Sequence, residues 1–185
     1  MAISQNQRLR RNAEKASRRK LVVAQKRKAE MTAMGEREAR QLVEAARGRI
    51  ESCEIAEEIF SLGMGSLVLA RTLPSGLIGA SFFLVDVWSL GVKDALFKVM
   101  TREDFEDHME MASLAQPLVD IDPPKARKFL HDAVAYAHSL GFAPARGFVE
   151  AEKIFGDIAM ADDTFEFGRD GKPFFVSGPM DLPQA

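Results

Sequence analysis

The sequence predicts an α+β fold: a mostly antiparallel sheet from two hairpins, packed by about four helices, with a basic helical N-terminal arm. Three observations predict it. Apolar residues recur at three- and four-residue spacing in several long segments, the signature of helices with one buried face. β-Prone runs flank Gly- and Pro-containing turns at 73–76 and 168–171, the signature of hairpins. Basic residues crowd into the first thirty positions, in a stretch without Pro or Gly. The chain has 185 residues and 46% hydrophobic content, which suits one globular domain plus an appendage. The division expected is a basic arm over 1–34, helical or disordered when free, and a single α+β domain over 36–185.

Residues 5–34 are rich in Ala, Arg, Lys, Gln and Glu, all good helix formers, with weak apolar periodicity. Like charges all round such a helix oppose its formation in isolation, so order on a polyanion is expected, with Gly35 as a break. From Glu36 the residues Ala39, Leu42, Val43, Ala46, Ile50, Cys53 and Phe60 fall on one helical face, and Gly63 suits the left-handed stop. Next, Ser66–Thr72 alternates as a strand. Leu73-Pro74-Ser75-Gly76 reads as a turn, and the chain returns over Leu77–Trp88. Phe83, Val85 and Val87 take one face of that strand, Phe82, Leu84, Asp86 and Trp88 the other, so it is expected inside the sheet. Gly91–Met100 is compatible with a third strand or a short helix.

Thr101 with Asp104 forms a capping box opening a helix to about Leu114, ended by Pro117. Asp122-Pro123-Pro124 is a second helix start, with Asp as N-cap and Pro in the first turn. That helix should run to Leu140, with Gly141 closing it and Phe129, Ala133, Val134, Ala137 and Leu140 as its apolar stripe. A short helix follows over 146–155. Thr164–Phe167 and Phe174–Val176 are expected to pair across the Gly168-Arg169-Asp170-Gly171 turn, and the last Gly-Pro-Met-Asp-Leu-Pro stretch is expected as coil.

The total charge conceals a division. Net charge is −2, but residues 1–28 hold ten basic groups and one acid, Glu14, for a net +9. The basic groups are Arg8, Arg10, Arg11, Lys15, Arg18, Arg19, Lys20, Lys26, Arg27 and Lys28. The rest of the chain holds 15 basic and 26 acidic groups, for a net −11. A Lys/Arg-rich segment binds phosphates by releasing their condensed counterions, so affinity falls with log salt at a slope of roughly −0.7 per single-strand phosphate. The arm has no aromatic residue on which bases could stack, which points to backbone contact with structured RNA or duplex. The partner expected is therefore nucleic acid, RNA before DNA, for an accessory protein of the ribosome-associated kind. A docking helix for an acidic protein partner is the competing interaction reading, and a solvated tail the bland one. Membrane binding would need a large apolar face, and Leu21, Val22 and Val23 are the arm's one cluster, so no membrane partner is expected.

The single cysteine, Cys53, cannot form an internal disulfide and suits a reducing compartment. No apolar run has the length of a bilayer span, and the N-terminus has no signal-peptide core. The expected location is the cytoplasm of a bacterial-type cell, with a mitochondrial transit peptide as the minor alternative.

Motifs for chemistry are sparse. Asp86 lies in an apolar strand, where an unpartnered carboxylate would be desolvated, and Lys93 and Asp94 follow it, so these three mark a candidate pocket for an enzyme of unknown reaction. The plain alternative is a carboxylate that caps its own turn. His131 and His138 are seven apart on one helix, too far to share a metal directly, and His108 follows acidic residues on another. Surface roles are expected for all three. Gly63-x-Gly65 precedes a strand rather than a helix, unlike a phosphate loop. No metal ligand set, cofactor motif or catalytic triad is read.

Three stretches, FLVDVWSLGVKD (Phe83–Asp94), YAHSLGF (Tyr136–Phe142) and FEFGRDGKPFFVSGP (Phe165–Pro179), resemble segments of a family of small uncharacterised bacterial proteins. The resemblance covers most of the body and not the arm closely. It implies a bacterial-type cytoplasmic protein and no mechanism.

Overall fold

The structure, a computed structural model, describes residues 5–175, with side chains described for all of these except 5–18, Leu21 and Met31. The chain divides into two units, one up to Arg40 and one from Gln41 onward. The expected C-terminal coil lies outside the described residues, as does Val176 of the expected tail strand.

The first unit is helical throughout its described length. Helix α1 runs Gln5–Ala45, so Gly35 does not break it, and the helix continues into the second unit. Gly costs a helix interior about 1 kcal/mol relative to Ala, which the strong helix formers around it can absorb.

The second unit is α+β, built on an antiparallel sheet. Strand β1 (Ile50–Ala56) leads through a one-turn helix α2 (Ile59–Leu62) to β2 (Met64–Thr72), β3 (Ile78–Asp86) and β4 (Gly91–Met100). Helix α3 (Arg102–Ala115), strand β5 (Leu118–Asp120), helix α4 (Pro123–Ser139), helix α5 (Phe148–Ala151) and a 3₁₀ turn (Glu152–Phe155) complete it. The sheet order is β4-β3-β2-β1-β5, with every neighbour antiparallel.

The largest departure from expectation concerns residues 46–60. The helix anticipated from Glu36 to Gly63 stops at Ala45, and β1 occupies its middle. Ile50, Cys53 and Phe60 fit a helical period, but Cys53 and Ile55, buried between Ser52 and Glu54, also fit a period of two. Pairing decides between them, because β1 joins β2 on one side and β5 on the other. Of the expected face, Leu42 and Cys53 are buried and Ala46 and Ile50 half-buried, whereas Ala39, Val43 and Phe60 are exposed. The stop signal at Gly63 is real. Gly63 adopts φ +81° and caps α2.

The first hairpin forms as read. Gly76 donates to Leu73 O at 2.9 Å with φ +81°, and β2 and β3 pair from Thr72↔Ile78 to Met64↔Asp86. The second hairpin of the sheet is β3–β4, which settles Gly91–Met100 as strand. Residues 164–175 supply no strand. They keep their turn, with one isolated bridge between Arg169 and Lys172. Their backbone bonds go elsewhere: Gly168 N–H donates to Val87 O and Phe174 N–H to Trp88 O.

Both faces of the sheet carry apolar residues, as expected for β3, an interior strand. On one face Leu67, Leu69, Phe83 and Val85 pack under α4, α5 and the 3₁₀ turn, against Phe129, Leu130, Ile154 and Phe155. Each fully buried Phe or Leu contributes roughly 1.5–3 kcal/mol. On the other face Val68, Ala70, Ile78 and Ala80 pack with Phe105 and Met109 of α3. α3 begins at the expected cap, Thr101 Oγ1 accepting from Asp104 N–H at 3.1 Å. α4 begins after Asp122 and buries Ala126, Phe129, Leu130, Ala133 and Ala137, with Val134 and Leu140 half-buried.

Two polar devices lock these layers. Arg71, only 5% exposed, donates from Nη1 to Gly48 O at 2.9 Å and from Nη2 to Phe155 O at 3.0 Å. A register shift between Ile50 and Ser52 brings Glu51 among Arg49, Thr72 and Arg102, all of which donate to it. Those donors, Arg102 first and Thr72 next, hold the Glu51 carboxyl well down, to about 2.

Two outcomes are expected. Gly63→Ala should destabilise by about 2 kcal/mol or more in urea denaturation, because a side chain at φ +81° is strained and its Cβ would lie 2.2 Å from the Trp88 ring. Glu51, whose folded pKa is depressed, stabilises the fold above its ordinary value of 4.5 and loses that contribution as pH falls toward about 2. Urea midpoints measured across that window should fall more steeply for the native chain than for Glu51→Gln.

Candidate nucleic-acid interface and the Asp86 turn

The candidate interface is built from sequence composition and helix geometry. Ten basic residues of the first 28 lie within α1, and the backbone of all ten is helical. At 3.6 residues per turn, positions 8, 11, 15, 18, 19 and 26 fall within about 100° of one another. The remaining four, 10, 20, 27 and 28, spread over the other sides. Expectation from the sequence was of like charge all round, so the helix adds a basic stripe at i, i+3, i+7 spacing. It extends about 27 Å along the axis from Arg8 to Lys26, at 1.5 Å per residue.

Side chains are described from Arg19 onward. Arg19, Lys20, Lys26, Arg27 and Lys28 are all exposed. Lys26 lies 3.9 Å from Glu30 across one turn, with both side chains in solvent, so that pair contributes little and leaves the ammonium available. Val22 and Val23 are exposed too, next to one another, and Met34 is exposed further along the helix. No helix among the described residues is long and apolar enough to cross a membrane.

The second candidate, Asp86 with Lys93 and Asp94, resolves into separate parts. Asp86 ends β3, and its Oδ1 accepts from the backbone N–H groups of Trp88 and Ser89, both at 2.9 Å. Its Oδ2 accepts from the Ser89 hydroxyl at 3.3 Å. The carboxylate is thus satisfied by the turn that it caps. Lys93 and Asp94 lie exposed on β4, with Asp94 Oδ1 accepting from Ala95 N–H. Among the described residues no ion pair joins these three.

What the Asp86 turn does organise is an aromatic cluster. Trp88 donates from its indole to Phe60 O at 3.2 Å, and Phe174 meets it edge-on at 5.3 Å. The Arg169 guanidinium sits over both rings, 5.3 Å from Trp88 and 4.8 Å from Phe174. Tyr136 of α4 donates to Trp88 O at 3.4 Å and stacks on Phe167. Burial, and then the Asp86 charge, push the Tyr136 hydroxyl upward. Three stretches far apart in sequence, around 83–94, 136–142 and 165–175, therefore meet at one place. Sequence reading found each stretch but had no signal for their meeting.

No family model, curated protein or solved structure matches the chain.

The other candidates are accounted for by position. His108, His131 and His138 are exposed, and among the described residues no group of His, Cys, Asp or Glu is placed to hold a metal. Cys53 is buried in the core, and desolvation pushes its thiol up to about 12, the opposite of an activated nucleophile. Gly65 lies within β2, where its hydrogen faces Ala56 and Ile59.

The capping account of Asp86 makes a measurable distinction. Asp86→Asn keeps an acceptor oxygen and should cost under about 1 kcal/mol in chemical denaturation, whereas Asp86→Ala strands two N–H groups and should cost about 1–3 kcal/mol. Equal losses for the two would show that the charge itself, not the hydrogen bonds, holds the turn.

Proposed function

We propose that the protein is an RNA-associated accessory protein, of the ribosome-associated kind, that docks through the basic positions of α1. One observation carries the reading: ten basic groups against one acid over residues 1–28, on a stretch that is helical wherever described. A rod of positive charge lowers the free energy of a polyanion by releasing its counterions, and needs no base contact to do so. The absence of aromatic residues from residues 1–34 favours contact with the phosphate backbone over reading of unstacked bases. The stripe through Arg8, Arg11, Lys15, Arg18, Arg19 and Lys26 supplies up to six phosphate contacts on one side. The body, at −11, would repel the same polyanion, so docking confined to α1 follows from the charge division.

Anisotropy titrations of a structured RNA hairpin over a range of salt test this. Six contacts to the duplex stem predict a log–log slope near −5. Replacing Arg8, Arg11, Lys15 and Arg18 with Gln should flatten the slope by about 3 to 4, while replacing Arg10, Lys20, Arg27 and Lys28 should flatten it less. Binding indifferent to salt, or unchanged in both variants, would sink the proposal. A protein that co-purifies after nuclease treatment and is lost with the stripe variant would instead identify α1 as a docking helix for an acidic partner.

A further inference from the structure

Arg71 is the one buried cation among the described residues, and the fold uses only part of it. Two carbonyl oxygens, of Gly48 and Phe155, accept from its terminal nitrogens. Its Nε is buried without a hydrogen-bond partner. Among the described residues it takes part in no ion pair. A buried guanidinium with neither a contacting carboxylate nor a full set of acceptors is costly, so its surroundings bear on what it serves.

Those surroundings form a cleft of about 490 Å³ lined by Val43, Ala46, Arg47, Arg71, Lys153, Gly156 and Asp157. Three of the lining side chains are cationic and one is acidic. Arg47 makes no ion pair among the described residues. Lys153 pairs with Glu150, i,i+3 and with both side chains more than half exposed, which leaves it free to change partners at little cost. Guanidinium and ammonium groups converging on a cleft match the charge and acceptor geometry of a phosphate. The volume exceeds what inorganic phosphate fills, and Val43 and Ala46 give the remainder an apolar wall. Asp157, whose charge already favours the protonated Arg71, can accept from a hydroxyl and offsets one of the three positive charges that draw a phosphate.

We propose that this cleft is a binding site for a phosphate monoester that carries hydroxyls, of the sugar-phosphate class, with the phosphate held by Arg71, Arg47 and Lys153 and a hydroxyl donating to Asp157. The site is independent of RNA docking, since all its residues lie in the second unit and none in the basic stripe.

The basic helix also attracts anions, so the test must report position. The full chain, ¹⁵N-labelled, is titrated with ribose 5-phosphate and separately with inorganic phosphate at fixed ionic strength. Saturable shifts are expected at the amides of Arg47, Gly156 and Asp157, with ribose 5-phosphate the tighter ligand. Arg71 is not substituted, because it holds the fold. Arg47→Ala combined with Lys153→Ala removes two exposed groups and should weaken binding about tenfold or more, while Lys28→Ala on α1 leaves it unchanged. Shifts confined to α1, shifts that never saturate, or equal affinity in the double variant would each overturn the proposal. Binding of inorganic phosphate as tight as that of the sugar phosphate would overturn the assignment of Asp157 and the apolar wall.

Discussion

The buried guanidinium of Arg71 is the interaction on which the second unit depends. Arg71 sits on β2, the middle strand of the sheet, and donates to carbonyls 23 and 84 residues away along the chain. One acceptor lies in the turn that follows α1, the other at the end of the last 3₁₀ turn. Burying such a cation costs several kcal/mol by itself, of order what a native ion retains after relaxation. It is tolerated because two carbonyl oxygens accept from it and the nearby Asp157 charge favours its protonated form. The same hydrogen bonds set where the chain leaves α1 and where the covering layer closes over Phe83 and Leu69.

Around that point the sheet is covered unequally. One face is buried under α4, α5 and the 3₁₀ turn, with Phe83, Phe129 and Phe155 fully enclosed. Among the described residues the other packs with Phe105 and Met109 of α3, and Leu84 and Leu96 are exposed at its margin. The Glu51 cluster ties α3 to β1 and β2 through Arg102 and Thr72, and so compensates in polar contacts for the smaller apolar area on that side. Asp86 does similar work at the opposite end of β3. Its oxygens hold the turn on which Trp88, Arg169 and Tyr136 converge.

The charge division gives the two units different chemistry. Positive charge follows a helix with no core to bury, so its physical consequence is long-range attraction for polyanions, strongest at low salt. Negative charge spreads over the body, and Arg71 is the one cation buried among its described residues. These two cationic features differ in kind. One is a run of basic positions along a helix, whereas Arg71 is fixed by the two carbonyl groups to which it donates.

Much of the fold was legible along the chain. The Leu73–Gly76 turn, the Thr101–Asp104 cap, the Asp122-Pro123 helix start and the Gly63 stop are local chemistry, encoded within four residues. The charge of the arm, the exposed histidines and the inert Cys53 were legible for the same reason or from burial pattern. Three things were not. Residues 50–56 satisfy both a helical and a strand period, and only pairing with β2 and β5 selects the strand. Residues 164–175 carry strand-like residues, but their N–H groups are taken by Val87 and Trp88, so no second hairpin forms there. The cleft beside Arg71 draws on residues 43–47, 71 and 153–157, and no local signal announces such a meeting. The sequence by itself determined element types wherever capping or turn chemistry is local, and it determined where charge resides. The tertiary structure decided strand partners, the burial of Arg71 and which residues meet at the Trp88 cluster and at the Arg71 cleft, because each rests on contacts between residues distant along the chain.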